Sequence, residues 1–152
     1  LEFNNSTLTT CNNLTITSTC TNLASLFKNC TSLTSYSFSP SCDTRNVTSI
    51  ISMFEGCSSL NIIDFSSLIF TSTLRAYSRL FVNCTKAKEI YFPESIKDSS
   101  ATEIEALFEN CYPTKISNLK FNPSITTMRW CFVSVGGDNF LKNVKHSVRK
   151  NW

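Results

Sequence analysis

The chain has 152 residues, 16% of them charged, and a formal net charge of +3. That length suits one domain, and no apolar stretch approaches the roughly 20 residues needed to cross a bilayer. With three glycines, one histidine and no Cys-X-X-Cys pair, the sequence offers no Gly-rich phosphate loop, no zinc ligand set and little for histidine-centred acid–base chemistry. It starts without Met and carries no visible signal peptide, so a mature or excised piece is expected.

In chain order, residues 1–25 read as a degenerate first coil or cap. Cys11, Leu14 and Ile16 form a shortened strand, and Cys20, Leu23, Leu26 and Phe27 follow as a helical face. From there Phe27, Phe54, Phe81 and Phe108 recur every 27 residues, each followed three positions later by Cys30, Cys57, Cys84 or Cys111. The repeated octets run Leu-Phe-Lys-Asn-Cys-Thr-Ser-Leu from Leu26, Met-Phe-Glu-Gly-Cys-Ser-Ser-Leu from Met53, Leu-Phe-Val-Asn-Cys-Thr-Lys-Ala from Leu80 and Leu-Phe-Glu-Asn-Cys-Tyr-Pro-Thr from Leu107. A unit this short cannot bury a core alone, so each must stack on its neighbours.

Upstream of the octets, apolar residues fall three and four apart: Val47, Ile50, Met53 and Phe54, then Leu74, Tyr77, Leu80 and Phe81, then Ala101, Ile104, Leu107 and Phe108. This spacing predicts a two-turn helix in each unit. Downstream, Leu33, Tyr36 and Phe38 recur as Leu60, Ile63 and Phe65, as Ala87, Ile90 and Phe92, and as Ile116, Leu119 and Phe121. The last pair of each set alternates as a strand does. The longer step from Phe92 to Phe121 places an insertion in the turn at Tyr112-Pro113. Ile125, Met128, Cys131 and Phe132 make a degenerate fifth unit. The expected fold is an α/β repeat solenoid of about four to five coils over 1–135, with one parallel sheet of short strands on one face and short helices on the other.

Composition changes after Gly136-Gly137. Lys142, Lys145, Arg149 and Lys150 stand against Asp138 alone, leaving ten basic and ten acidic residues in the body, so the tail holds the whole net charge. Phe140, Leu141, Val144, Val148 and Trp152 at helical intervals make 136–152 a basic capping segment for the open end of the stack, in preference to a membrane-surface or nucleic-acid helix. Of the eight cysteines, the four in register should form a buried column of thiols, because parallel side-chain vectors suit a disulfide poorly. Cys11, Cys20, Cys42 and Cys131 lie off that column, and a Cys11–Cys20 bridge is open.

The run from Val47 through Phe54, Cys57 and Leu60 to Phe65 resembles a unit of the BspA-like leucine-rich repeat surface proteins. In both, Phe, two residues, Cys, two residues and Leu lead into a short Leu/Ile strand. The likeness covers about residues 11–135. It departs from the family in a slightly longer unit and in keeping Ile-Pro only as Phe92-Pro93. The resemblance implies a curved right-handed solenoid at a cell surface, used for adhesion or recognition, with buried repeat cysteines.

If Ile63 and Phe65 turn inward, strand alternation exposes Ile62 and Asp64. The same logic exposes Ser35 and Ser37, Glu89 and Tyr91, and Asn118 and Lys120. These eight residues form the candidate ligand-binding face, with Ile62 and Tyr91 as an apolar centre inside a charged border. Asn4, Asn5, Asn13 and Asn46 begin Asn-X-Ser/Thr triplets and are glycosylation candidates; Asn29 and Asn83 do so inside the repeated turn, where an asparagine column has a structural use. The function these features favour is a non-catalytic extracellular or cell-surface module that holds protein or glycan partners and needs no cofactor. Self-assembly into a surface filament or layer is the alternative. A carboxylate-based glycosidase using Asp64 and Glu89 is the third reading, against which a shallow face that excludes water badly argues.

Overall fold

The computed structural model describes residues 1–133. The chain winds through about five coils of roughly 26 residues as a parallel β-solenoid. Its strands are β1 (Thr10–Leu14), β2 (Ser35–Phe38), β3 (Ile62–Asp64), β4 (Glu89–Tyr91), β5 (Glu103–Glu105), β6 (Lys115–Ser117) and β7 (Thr127–Arg129). One face stacks β1 on β2 and then β3, β4 and β6, all parallel. A second column is built from single bridges, Asn22 to Ser49 and Ser49 to Ala76, and widens into β5 paired with β7. The basic segment 136–152 lies outside the described residues.

The expected helices do not form. The segments 47–54 and 74–81 are an isolated bridge followed by turns, 101–108 is β5 followed by turns, and the one helix among the described residues is a short 3-10 helix, Glu94–Asp98. The backbone explains why. Ser25, Ser52, Arg79 and Ala106 have φ of 61°, 57°, 60° and 50°, and four residues later Asn29, Gly56, Asn83 and Asn110 have 60°, 77°, 61° and 52°. A left-handed residue on each side of the repeated Phe breaks any α-helical run. The N–H groups then divide between two directions. Those of Ser25, Phe27 and Asn29 donate to Ile51, Met53 and Glu55 carbonyls of the next coil, while those of Leu26, Lys28 and Cys30 close local turns on Leu23, Ser25 and Phe27. The second coil repeats both sets. Spacings of three and four arise because successive turns aim a side chain inward about every third residue.

The interior is lined by columns. Phe27 stacks on Phe54 at 5.8 Å between ring centroids, Phe54 on Phe81 at 6.1 Å and Phe81 on Phe108 at 5.4 Å. Phe3 covers the first ring at 5.6 Å and Phe132 continues past the last at 6.0 Å. A second aromatic row of Tyr36, Phe65 and Phe92 meets the first at tilted or edge-on angles. Cys30, Cys57, Cys84 and Cys111 are fully buried beside them. The thiols of Cys57 and Cys84 donate to the Phe27 and Phe54 carbonyls of the preceding coil at 3.1 and 3.0 Å. All eight cysteines are free, so Cys11 and Cys20 are not bridged. Burial pushes the Cys57 and Cys84 thiols far up, and that of Cys111 up to about 12. On the outer wall, Arg79 grips Glu55 through Nε and Nη2, each at 3.2 Å, with Lys28 at 3.5 Å, tying three coils together.

In the fourth coil the register differs from the expected one. Ile116 pairs with Ile90, only 26 residues earlier, so no extra residue precedes the strand. The central inward isoleucine sets the alignment, and Phe121 falls in the loop beyond. No helix of the described residues is long and apolar enough to cross a membrane.

Two outcomes follow from the turns and the thiol column. At Gly56 a Cβ would stand 2.7 Å from Asn29 Oδ1 on a backbone of φ 77°. Gly56→Ala should therefore cost about 1–2 kcal/mol in chemical denaturation, and Gly56→Asn less, since Asn fills this place in the other coils. In the native protein, iodoacetamide followed by peptide mass mapping should label Cys11, Cys20 and Cys42, and should reach Cys30, Cys57, Cys84 and Cys111 only after denaturation.

Candidate sheet-face recognition site

The parallel ladder turns alternate side chains outward, as strand geometry requires. Ile63 and Ile90 are buried, while Ile62 and Asp64 are exposed and Glu89 and Tyr91 half-exposed. Registration places Ile62 beside Glu89 and Lys115, and Asp64 beside Tyr91 and Ser117. Lys115 and Ser117, not Asn118 and Lys120, thus complete the two outward columns. Asn118 sits past the end of β6 with φ 60°, and Lys120 reaches back to Glu94 Oε1 at 3.1 Å. The signal that would have found Lys115 and Ser117 was the isoleucine series Ile63, Ile90 and Ile116, which outranks the match of Phe121 to Phe92.

The centre of this face is a bonded cluster. The Tyr91 hydroxyl donates to Glu89 Oε2 at 2.6 Å and accepts from Lys115 Nζ at 3.1 Å, and the same ammonium lies 5.0 Å from the Tyr91 ring centroid. That hydrogen bond holds the Lys115 ammonium above its usual range. Asp64 Oδ1 accepts from the Ser66 N–H at 2.9 Å and hydroxyl at 2.6 Å. Asp64 and Glu89 are diagonal in the register, since Asp64 lies opposite Tyr91 and Glu89 opposite Ile62. Each carboxylate is already held by a hydroxyl of its own strand segment.

Ser35 and Ser37 on β2 are exposed as expected, but they stand across a break. No ladder joins β2 to β3 among the described residues. Tyr36 occupies the inward place that Ile63, Ile90 and Ile116 fill in later coils. Its ring packs 5.3 Å from both Phe27 and Phe54, and its hydroxyl donates to the Asp64 carbonyl at 2.7 Å. The phenol thus reaches past the isoleucine place and occupies a carbonyl that a ladder N–H would otherwise use, at the point where no β2–β3 ladder forms. Burial, with the nearby Asp64 charge second, raises the Tyr36 phenol well above its ordinary range, so it stays a donor. The break opens a cleft of about 280 Å³ lined by Thr34, Ser35, Tyr36, Asn61, Ile62 and Asp64.

The glycosylation candidates Asn4, Asn5, Asn13 and Asn46 are all exposed. Asn46 donates from Nδ2 to the Ser18 carbonyl at 2.9 Å, and Asn5 Oδ1 accepts from the Thr7 backbone and hydroxyl. In the repeated turn, Asn110 Nδ2 donates to Asn83 Oδ1 at 2.9 Å, a side-chain ladder along the stack. Replacing the tyrosine should close the break: in Tyr36→Ile, amide hydrogen exchange at Ile62 and Asp64, whose N–H groups point toward β2, should slow by about tenfold or more as these strands pair, while Ile63, already paired with β4, should not change.

The family described as Mycoplasma protein of unknown function, DUF285, matches residues 2–121, a span that runs from before β1 to past β6. No curated protein and no solved structure gives a significant match. A match over most of the chain places it, with its stacked Phe and Cys columns, in that DUF285 family.

Proposed function

We propose that this chain is a non-catalytic recognition module of the extracellular or cell-surface environment, holding a protein or glycan partner on its sheet face. One observation carries the reading. The inward places of β3, β4 and β6 are all isoleucine, whereas the outward columns differ at every coil: Ile62, Glu89 and Lys115 in one, Asp64, Tyr91 and Ser117 in the other. A scaffold with a fixed interior and a varied outer face is the usual arrangement of a repeat-protein binding surface. The Glu89–Tyr91–Lys115 cluster adds a preorganised aromatic with a charge of each sign, the residue types that dominate binding hot spots. The likeness to BspA-like surface proteins supports the same assignment, and the exposed sequons are consistent with a secreted location.

Self-assembly is favoured by one feature, the outer edge of β1, which pairs with no other strand among the described residues. That edge carries a register shift between Cys11 and Leu14, with Asn13 at φ 55°. A bulge of this kind blunts edge-to-edge pairing, so recognition stands ahead of assembly.

An array of glycans and matrix proteins probed with the wild type, Tyr91→Ala and Asp64→Ala tests the assignment. A partner should bind the wild type, and Tyr91→Ala should weaken it by about tenfold or more. Equal binding by all three proteins would remove the sheet face from the account. Light scattering that rises with concentration in the absence of any partner would favour the filament.

A further inference from the structure

The break between β2 and β3 is the place where the repeat departs from its own pattern, and its lining is chemically selective. We infer that this cleft is a subsite for one neutral pyranose ring, a deepening that rests on the recognition reading of the sheet face. Size comes first. At about 280 Å³ the cleft lies just below the roughly 300–1,000 Å³ typical of ligand pockets. It admits one ring and leaves the rest of a larger glycan on the open face.

Chemistry narrows the class further. Thr34, Ser35, Asn61 and Asp64 supply hydroxyls, an amide and a carboxylate, a mixture of donors and acceptors that suits a polyol. Ile62, 47% exposed, and the edge of Tyr36 supply an apolar patch for the C–H face of a sugar ring. The lining contains one carboxylate and no Lys, Arg or His, which disfavours sulfated or acidic sugars. Asp64 is preorganised, because Ser66 fixes its Oδ1 from two sides. No ladder joins the two strands that line the cleft among the described residues, and the Tyr36 hydroxyl spans between them to the Asp64 carbonyl.

The test is an amide-shift titration of the full chain with methyl α-glucoside and methyl α-galactoside. Glucuronate and lysine amide serve as the anionic and cationic arms. One or both neutral glycosides should move the Ser35, Ile62 and Asp64 amides with a dissociation constant on the order of 1 mM, the scale suited to so small a ligand. Tyr36→Ile, which restores the residue of the later coils, should abolish the shifts. Asp64→Asn, an exposed change that keeps the Ser66 acceptor, should weaken binding about fivefold or more and guards against a Tyr36 variant that misfolds. Still amides up to about 50 mM of both glycosides, well beyond that scale, would overturn the inference. So would equal shifts in a folded Tyr36→Ile or in Asp64→Asn, or a response only to glucuronate or lysine amide. A chain that binds an array partner through Tyr91 while its cleft amides stay still would sink the sugar subsite alone and leave the recognition reading in place.

Discussion

Main-chain hydrogen bonding between coils is the constraint on which the rest of the molecule depends. The N–H groups of Phe27, Phe54, Phe81 and Phe108 each donate to the next coil, at Met53, Leu80, Leu107 and Cys131. Those bonds lock the phase of every coil to its neighbour, and the side chains follow. Phenylalanine rings come into stacking contact, each pair adding roughly 0.5–1.5 kcal/mol beyond the area it buries. The thiols fall into a column in which the Cys57 and Cys84 S–H groups bond carbonyls of the preceding coil, and the sheet face emerges as two outward rows. A slip of one residue would turn those rows into the core and expose the isoleucines.

Much of this was legible from the sequence, and the reason is periodicity. Phe and Cys 27 apart, followed by an alternating pair, are sufficient to derive a stacked solenoid, a parallel sheet and a buried cysteine column. The turns imitate helices in the sequence because Val47, Ile50, Met53 and Phe54 fit a helical face over two turns. Extending the run to Cys57, Leu60 and Ile63 adds three further steps of three. At about 100° per residue such steps drift steadily round a helix, which is the mark of successive turns. The alternation of Asn29, Gly56, Asn83 and Asn110 at one place was a second signal, since Asn and Gly are the residues that tolerate a left-handed backbone. No comparable signal existed at Ser25, Ser52, Arg79 and Ala106. There the stack imposes the left-handed conformation on residues that do not prefer it.

The candidate site was legible in part for the same reason. Ile62, Asp64, Glu89 and Tyr91 follow from alternation alone, but in the fourth coil Phe121 imitates the end of a strand and hides the true phase set by Ile116. The break at Tyr36 was not visible as a break, because an aromatic at an inward position reads as ordinary core. Its meaning depends on length: the ring fills the isoleucine place and the hydroxyl must go somewhere, so it reaches the Asp64 carbonyl, at the point where no β2–β3 ladder forms. In a repeat, the informative positions are those where a coil differs from its neighbours. Tyr36 and the Glu89–Tyr91–Lys115 cluster are two such places, and they lie on one face.

Coil-to-coil pairing through consecutive turns can be tested directly by nuclear Overhauser contacts across residues 47–57 and 74–84. The account predicts short distances between the Phe54 amide and Leu80, and between the Gly56 amide and Val82, together with ring-to-ring contacts from Phe54 to Phe81. A continuous helical ladder from Val47 through Glu55, with no contact between residues one coil apart, would contradict it.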